Sequence, residues 1–518
     1  MEQVRPLPTG IQSFEVLRTK GYLYVDKTAM LYRLASSYTP YFLSRPRRFG
    51  KSLLLSTFQA YFEGRKDLFE GLAIAELETE WEQYPVLYLD LNAETYDTVA
   101  SLRAILSGNL DKWEDIYGKD EREKTIPRRF AGVIRRAYEK TGKRVVVLVD
   151  EYDKPMLSAI TNEQLTIRYR TLLKAFYGVL KSSGQYLRFL FITGVAKFAQ
   201  ISVFSDLNHL SDISLEETYA TLCGITGTEL LQFFTPELKI LADKQRMTFD
   251  ETVAKMTLYY DGYHFAPYTE GIFNPFSVLS VLNFSNFRDY WFQTGTPAYL
   301  VELLKESDYD LRLLVEGVEV KTSHFAEYRA EANNPLPMIY QSGYLTITGY
   351  DDEVKLYKLG FPNAEVRYGF LEFLVPYYTA VSNGGGSLHI GNFYRELKAG
   401  DVEAFMERLE VFFAGIPYKL SNNNEKHYQA IFYIVFSLVG QYVEAEVRSS
   451  KGRADAVVKT KDTIYVFEFK LNGTAEEAIR QIDSNGYLIP YKLDGRKLVK
   501  VGVEFSKKER NLHRFIVK

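Results

Sequence analysis

The chain has 518 residues and a mass of 59.8 kDa, a length that predicts about three to five domains. Hydrophobic residues make up 46% and charged residues 25%, which excludes disorder as the overall state. No run of about 18 apolar residues occurs, so we expect no membrane span. The single cysteine, Cys223, excludes an internal disulfide and a multi-cysteine metal cluster. Residues 1–6 lack the pattern of a signal peptide, so we expect a cytoplasmic protein.

Charge is distributed unevenly along the chain, although the net charge is only −3. Residues 447–518 contain 16 Lys and Arg against 9 Asp and Glu, a net charge of +7, which leaves −10 for the first 446 residues. A basic terminal segment on an acidic body indicates a polyanionic partner for that segment. A solvated charged surface would give the same composition, so charge alone leaves both interpretations open.

Short apolar runs alternate with helical patterns over residues 1–230. The runs lie at 41–43, 86–90, 145–149 and 187–192. Strands this continuously apolar are buried on both faces, so the pattern predicts a parallel sheet between layers of helices. In such a fold the functional loops lie at the carboxyl ends of the strands. We therefore expect a first domain here, with its site at that edge.

Residues 231–385 show a different pattern. Helical stretches come first, and two strands at 343–347 and 354–359 then flank an acidic turn at 351–353. This order predicts a hairpin that follows helices, as in a helical lid or a winged-helix-like domain. An irregular helical subdomain is the alternative.

A glycine-rich turn, Ser-Asn-Gly-Gly-Gly-Ser, lies at residues 382–387. It predicts a domain boundary, although a long surface loop would have the same composition. The third predicted domain covers residues 386–518, and its last hundred residues have a helix–strand–strand–helix pattern of their own.

Gly-Lys-Ser at residues 50–52 follows the first predicted strand and opens a helix. A phosphate requires converging backbone N–H groups, the positive end of a helix dipole and a lysine that reaches the terminal phosphates. Gly50 and Lys51 meet these requirements, and the Ser52 hydroxyl could bind Mg²⁺. The segment therefore predicts an ATP site. A basic helix start that contains these residues by chance is the alternative.

Three arginines precede this glycine, and one of them breaks the usual pattern G-x-x-x-x-G-K-[ST]. Arg45 stands where the first glycine of the pattern belongs. Arg45, Arg47 and Arg48 add positive charge that could contact phosphates or a partner. All three are therefore predicted to bind the nucleotide.

Two acidic residues, Asp150 and Glu151, end the third predicted strand. A carboxylate at the tip of a buried strand beside a phosphate loop suits Mg²⁺, and the next carboxylate can orient the attacking water. Asp150 is therefore a predicted metal residue and Glu151 a predicted catalytic residue.

Thr193 follows the fourth strand, where a polar group could sense the γ-phosphate, although Thr-Gly is also a common strand-to-loop transition. Three basic residues could neutralise phosphate charge, and the sequence does not choose among them: Lys154, Arg188 and Lys197.

Two predicted strands near the end of the chain carry a pair of carboxylates. A hairpin centred between Lys461 and Asp462 pairs position 455 with position 468. Asp455 and Glu468 are then opposite each other, with Cβ atoms about 5 Å apart, and could hold Mg²⁺ or Mn²⁺. Such an ion would lower the pKa of a bound water and neutralise a phosphodiester oxygen. Lys470, on the same strand face as Glu468, could position or deprotonate the water.

Two further residues could belong to this second site. Glu425 starts an apolar helix and could supply a third carboxylate, or it could simply favour the first turn of that helix. Gln481 lies on a later helix and could face the site, or it could be a surface residue. A cross-strand ion cluster is the alternative to a metal site, but the opposed carboxylates and the basic surroundings favour the metal.

Motifs along nearly the whole chain resemble bacterial proteins that combine an N-terminal AAA-ATPase-like domain with a C-terminal PD-(D/E)XK nuclease domain. The similar segments are 10–28, 45–52, 149–155, 193–198, 260–265 and 274–279. The resemblance implies that residues 50–52 form the ATP-binding loop and that Asp150 and Glu151 form the second motif. The arginine in place of the first loop glycine is itself like the family's version.

In the last domain the resemblance places Asp455, Glu468 and Lys470 on the nuclease signature, with Glu425 on its first helix. Ala454 replaces the proline of the family's name, and that proline is not a ligand. The resemblance thus implies a nuclease fold without proving turnover.

We therefore expect an α/β protein with a P-loop parallel-sheet ATPase domain, a helical or winged-helix-like middle region and a C-terminal restriction-endonuclease-like domain. The expected function is an ATP-binding, metal-dependent nuclease that uses Mg²⁺ or Mn²⁺, with DNA favoured by resemblance only. Two alternatives stay open: an ATP-driven switch or scaffold that binds nucleic acid without cutting it, and a nucleotide-sensing protein with no nucleic-acid partner. A homo-oligomer would fit an ATPase that needs an arginine in trans, but the sequence shows no interface.

Overall fold

The structure is a computed structural model, and the residues that it describes fall into two compact units. They are residues 5–92, 95–160, 162–197, 204, 210–294, 300, 303–304, 314, 317–326, 334–378, 385–414, 425–440, 444–447, 454–470, 473–506 and 511–518. The first unit comprises Met1–Ser307 and Val318–Asn363, and the second comprises Asp308–Gly317 and Ala364–Lys518. The division into three domains at 230 and 385 stays a prediction, since part of the turn at 382–387 lies outside the described residues.

A five-stranded parallel sheet organises the first part of the first unit, with the strand order β2-β3-β4-β1-β5. The four predicted strands are confirmed as β1 to β4. In chain order the elements are α1 (Phe14–Thr19), α2 (Thr28–Ala35), β1 (Tyr41–Ser44), α3 (Lys51–Phe62), α4 (Ile74–Leu77), β2 (Val86–Asp90), α5 (Val99–Tyr117), α6 (Ile126–Thr141), β3 (Val145–Asp150), α7 (Lys154–Ser158), α8 (Glu163–Ser182), β4 (Leu187–Gly194) and β5 (Ser211–Asp212).

Aromatic packing joins this sheet to α3. Every residue of β3 is buried, as expected for a strand that is covered on both faces. Phe58 and Phe62 of α3 lie with their ring centroids 5.0 Å from that of Phe189 on β4. This contact packs the last two turns of α3 against the sheet. The start of α3 follows β1 directly in the chain, at the carboxyl edge of the sheet.

The rest of the first unit is helical with a small antiparallel sheet of order β8-β10-β9. The predicted hairpin is confirmed, with its first strand displaced by a few residues. Its acidic turn forms because the Asp351 carboxylate accepts hydrogen bonds from the N–H groups of Glu353 and Val354. The elements are β6 (Ile225–Thr226), α9 (Gly227–Gln245), α10 (Phe249–Tyr260), β7 (Ile272–Phe273), α11 (Pro275–Phe284), β8 (Val318–Val320), α12 (Leu336–Gln341), β9 (Thr346–Asp351) and β10 (Leu356–Gly360).

The second unit contains a five-stranded mixed sheet of order β11-β12-β13-β14-β15, in which only β13 and β14 are parallel among the described pairs. Its elements are α13 (Ala364–Tyr378), α14 (Gly385–Ala399), α15 (Val402–Ala414), α16 (Glu425–Val439), β11 (Glu444–Val447), β12 (Ala456–Lys459), β13 (Thr463–Lys470), α17 (Ala475–Ser484), β14 (Lys497–Ser506) and β15 (Asn511–Val517). The predicted α/β fold class is confirmed. Within the described residues, none of the helices combines the length and the apolar character that a membrane crossing requires.

Candidate functional site

The predicted phosphate loop connects β1 to α3 at the carboxyl edge of the parallel sheet. Gly50 caps α3 with a φ of 89°, a left-handed conformation that favours glycine. Arg48 also has a positive φ, 68°, which costs a non-glycine residue about 1–3 kcal/mol. Backbone strain of this kind concentrates at ligand-binding loops, so the geometry agrees with a phosphate cradle.

Lys51 turns its ammonium back into this loop. Its Nζ donates to the carbonyl oxygens of Arg45 at 2.9 Å and Pro46 at 3.0 Å, and the residue is only 5% exposed. Carbonyl dipoles thus stabilise the charge in the absence of an anion. A phosphate in the loop would offer stronger, charge-assisted acceptors to the same three donors.

Arg45 is buried beside the loop and contacts several carbonyl groups. Its guanidinium donates to the carbonyl oxygens of Ser44, Ser214 and Tyr219 at 2.8–3.1 Å. It also lies 4.1 Å above the Phe265 ring, and the residue is 1% exposed. These contacts hold the Arg45 side chain inside the protein, and its predicted contact with the phosphates stays a prediction.

The other two arginines stay candidates for the nucleotide. Arg48 is exposed, with its guanidinium 5.0 Å from the Phe276 ring. Arg47 is half-buried, and its carbonyl accepts a hydrogen bond of 3.1 Å from the Trp291 indole. Two residues from the helical part of the unit therefore touch the loop.

Asp150 and Thr193 meet at the carboxyl edge of neighbouring strands. The Thr193 hydroxyl donates to the Asp150 carboxylate at 2.6 Å, and both residues are buried. Because β4 lies between β1 and β3, Thr193 ends the strand that separates the phosphate loop from Asp150. Glu151 follows with a φ of 48°, a second strained residue at this edge. The structure thus brings together the acidic motif and the polar residue that the sequence predicts.

The three basic residues left open by the sequence can now be distinguished. Arg188 lies at the opposite, amino end of β4 and donates to the carbonyl oxygens of Ala35 and Ser37, which excludes it from a phosphate site. Lys197 forms a buried ion pair with Asp212 at 2.6 Å. Lys154 begins α7 beside the acidic motif and remains a candidate.

An apolar cavity of about 110 Å³ opens beside Gly50, and the sequence reasoning did not assign it a function. The segment before β1 lines one side through Tyr24, Val25 and Lys27, and residues near the start of α9 line another. Lys27 spans the two sides, since its Nζ forms an ion pair of 2.5 Å with Glu229 of α9. The only sequence signal for this cavity was the motif within residues 10–28.

The second site lies on the hairpin of β12 and β13, in the predicted register. Ala456 is paired with Phe467, and the ladder continues to Lys459 and Ile464. One further step places Asp455 opposite Glu468, so the register prediction is confirmed. The predicted alternation of side chains between the two faces of β13 is confirmed as well. Phe467 packs against Phe436 of α16 on one face, and α17 covers the face that carries Glu468.

Glu468 is a buried and poorly satisfied carboxylate. The residue is 3% exposed, and its Oε2 atom has no hydrogen-bond partner among the described residues. Burial and the neighbouring charge of Asp455 raise the pKa of Glu468 to about 7. Burial also raises the pKa of Asp455, whose Oδ2 accepts from the Phe469 N–H at 2.8 Å. Two carboxylates held together in this way repel each other unless a cation or a proton is present.

Lys470 and Gln481 complete the described part of this site. The Lys470 Nζ lies 3.6 Å from Glu468 and donates a hydrogen bond to the Gln481 side chain on α17. The Gln481 amide in turn donates to the Tyr487 hydroxyl at 3.4 Å. Gln481 therefore faces the site, as one of its two interpretations predicted. Glu425 begins α16, but its side chain lies outside the described residues.

The chemistry of this donor set fits a divalent cation, although Asp455 and Glu468 alone make an incomplete set. Mg²⁺ and Mn²⁺ prefer carboxylate oxygens, and the unsatisfied Oε2 of Glu468 is such a ligand. Within the described part of the chain, no group of three or more His, Cys, Asp or Glu side chains could hold a metal ion. The remaining ligands would therefore be waters, the substrate or Glu425.

Comparison with known proteins identifies a family for each of the two units. A family model described as predicted AAA-ATPase matches residues 8–204, and a model for the PD-(D/E)XK nuclease superfamily matches residues 423–515. An uncharacterized protein in the vnfD 5′ region of Azotobacter chroococcum mcd 1 is 35% identical over 524 residues, which cover 99% of each chain. The solved ORC2 protein of Aeropyrum pernix, in ADPNP–ADP complexes, shares 12% identity over 65% of this chain and 88% of its own. Its TM-score of 0.26 is too low for any further comparison.

The similarity to the Azotobacter relative extends over nearly the whole of both chains. The two family models fall on the two units that carry the sites described above. The chain belongs to the family of proteins that join an N-terminal AAA-ATPase-like domain to a C-terminal domain of the PD-(D/E)XK nuclease superfamily.

Proposed function

We propose that this protein is an ATP-binding, metal-dependent nuclease, with DNA favoured as substrate and ATP binding or hydrolysis as the switch. The main observation in support of nuclease activity is that the buried Oε2 atom of Glu468 lacks a hydrogen-bond partner among the described residues. Asp455 opposes it and Lys470 lies beside it, and together they form an arrangement that a cation would stabilise. Strongly shifted carboxylates beside a specific charged partner are typical of functional sites.

Each residue of the second site has a separate role in this proposal. Asp455, oriented by the Phe469 N–H, holds the ion together with Glu468. When bound, the ion supplies a water of lowered pKa and neutralises charge on the phosphodiester. Lys470 stabilises the phosphodiester charge or positions the water, and Gln481 keeps the ammonium in place.

The first site supports ATP binding by a similar argument. The phosphates lie over the start of α3, where Lys51 exchanges the loop carbonyls for phosphate oxygens. Ser52 and Asp150 hold Mg²⁺, and Glu151 orients the attacking water.

The rest of the nucleotide has its own candidate surroundings. The apolar cavity beside Gly50 receives the adenine base, since a planar aromatic ring suits apolar walls of this size. Thr193 lies where the γ-phosphate is sensed, while Arg47 and Arg48 supply positive charge at the mouth of the loop.

Nucleic acid is the polyanion that best fits the other unit. Residues 447–518 carry a net charge of +7 and include Asp455, Glu468 and Lys470. Contacts with a phosphate backbone would make binding fall steeply with salt concentration. DNA is favoured over RNA by the family resemblance.

A Mn²⁺ titration tests both sites. Binding is measured as the loss of the electron-paramagnetic-resonance signal of free Mn²⁺. We expect wild-type protein to bind Mn²⁺ without nucleotide, and Glu468→Gln to abolish this binding. Glu476→Gln, which changes an exposed carboxylate of the same unit, is the matched control and should bind normally. Added ATP should create a further Mn²⁺ site that Lys51→Ala removes. Unchanged Mn²⁺ binding in Glu468→Gln would contradict the metal site, and unchanged binding in Lys51→Ala would contradict the ATP site.

A further inference from the structure

The chain directly after Thr193 is held by the chain directly after Asp150. The buried Asp153 carboxylate accepts through Oδ2 from the N–H groups of Val195 at 3.0 Å and Ala196 at 2.6 Å. The Tyr152 hydroxyl donates to the Ala196 carbonyl at 2.6 Å. These bonds connect the two strand ends that carry the predicted Mg²⁺ residue and the predicted γ-phosphate sensor.

The two segments pack tightly against each other at Gly194, next to the predicted nucleotide site. Gly194 lies between the two segments, and a Cβ atom there would be 2.5 Å from the Tyr152 ring and 2.6 Å from Oδ1 of Asp153. Only glycine fits at this position, so the end of β4 packs closely against the segment that follows Asp150.

On its other side the same segment is held by one amide. The N–H of Lys197 donates to Oε1 of Gln341 at 2.7 Å. The Gln341 Nε2 donates to the carbonyl oxygens of Phe325 at 3.0 Å and Ala326 at 3.1 Å. Gln341 is 4% exposed and ends α12, so this buried amide joins the segment after β4 to the part of the unit that contains β8, β9 and β10.

The surroundings of Gln341 leave room for movement. A cavity of about 30 Å³ is bounded by Lys197, Tyr340, Gln341 and Thr346, among others. The Lys197 ammonium stays anchored to Asp212, so the backbone N–H is the group that links this residue to Gln341. The hydrogen bonds of Lys197 and Gln341 therefore couple the end of β4 to α12, and such coupling acts equally in both senses.

We propose that residues 195–197 relay the nucleotide state from the Asp150–Thr193 pair to Gln341, and from there to α12 and the small antiparallel sheet. The inference rests on the ATP site proposed above. A γ-phosphate that accepts a hydrogen bond from the Thr193 hydroxyl competes with the 2.6 Å hydrogen bond between Thr193 and Asp150 and shifts the end of β4. Asp153 and Gln341 are positioning residues in this relay, because they act through the segment between them.

Hydrogen exchange of the full-length protein tests the relay. We expect ATP with Mg²⁺ to change amide exchange in residues 334–360 of the wild type more than ADP does. Gln341→Met should reduce that ATP-dependent difference about fivefold or more, while the affinity for ATP stays within about threefold. Gln245→Met is the matched control. The Gln245 side-chain amide also donates to a backbone carbonyl, that of Ser285, but Gln245 ends α9 and belongs neither to residues 195–197 nor to α12. It should leave the difference intact.

A second variant decides the outcome if Gln341→Met fails to fold. Asp153→Asn keeps the size of the side chain but weakens the other end of the relay. It should reduce the same difference, because it interrupts the same connection. Where Gln341→Met does fold, the double variant should show no further loss. A full ATP-dependent difference in either folded variant would overturn the relay. ATP binding without any change at 334–360 in the wild type would overturn the relay alone, whereas absence of ATP binding would overturn the proposed ATP site and the relay with it.

Discussion

Glu468→Gln should stabilise the metal-free protein, although it removes a residue of the proposed nuclease site. Burial, with a contribution from Asp455, raises the pKa of Glu468 from 4.5 to about 7. At about 1.36 kcal/mol for each pKa unit, this shift equals about 3 kcal/mol of unfavourable free energy for the charged form. Glutamine has nearly the same shape and no charge, so the variant does not carry this cost.

The sign of the pH dependence follows from the direction of the shift. Because the folded-state pKa is above the unfolded value of 4.5, Glu468 contributes stability below that value and loses it as the pH rises through about 7. The variant should therefore exceed the wild type by about 2–3 kcal/mol near pH 8, and the difference should disappear near pH 4.

Differential scanning calorimetry in the presence of a chelator measures this difference. A unit of this size shifts its melting temperature by about 2–4 °C per kcal/mol, so we expect about 5–10 °C at pH 8. Mg²⁺ at 1,000 times its Kd should reverse the order, since it adds about 4.1 kcal/mol to the wild type only. The exposed control Glu476→Gln should respond like the wild type. A wild type at least as stable as Glu468→Gln at pH 8 without metal would refute the reasoning.

Three further substitutions separate the proposed roles. Lys51→Ala should weaken ATP binding about 100-fold in calorimetric titration, because a charge-assisted contact is lost, and an unchanged Kd would contradict the phosphate loop. Gln481→Leu should lower the kcat of cleavage about 10–100-fold with little effect on KM, because Lys470 loses its partner; a change in KM alone would argue against positioning. Arg45→Ala should lower the free energy of unfolding of the first unit by more than about 3 kcal/mol in chemical denaturation, since three carbonyls lose their donor. Arg47→Ala should not, and equal effects would refute the distinction.

The second site could be predicted well because its geometry is local. A short turn fixes the register of a hairpin, and the two-residue period of a strand then decides which side chains share a face. The sequence is therefore enough to predict that Asp455 and Glu468 oppose each other and that Lys470 shares the face of Glu468. The sequence could not show that Glu468 keeps an unsatisfied oxygen, because that depends on how α17 covers the strand.

The sequence predicts the first site only in outline, for one physical reason. The positions of Lys51 and Asp150 follow from strand order, but the partners of Arg45 are separated from it by up to 174 residues. A sequence pattern shows that an arginine is present without showing that buried carbonyls occupy its donors. For the same reason the sequence does not predict the cavity beside Gly50. It also does not predict the hydrogen bond between Lys197 and Gln341, two residues that are 144 positions apart.

The most direct test of the central claim is a cleavage assay on plasmid DNA, single-stranded DNA and RNA with Mg²⁺ or Mn²⁺. We expect DNA cleavage by the wild type and by Glu476→Gln, loss of cleavage in Glu468→Gln, and loss of any ATP dependence in Lys51→Ala. Cleavage that survives in Glu468→Gln, or the absence of cleavage by wild-type protein on every substrate with either metal, would contradict the proposed nuclease.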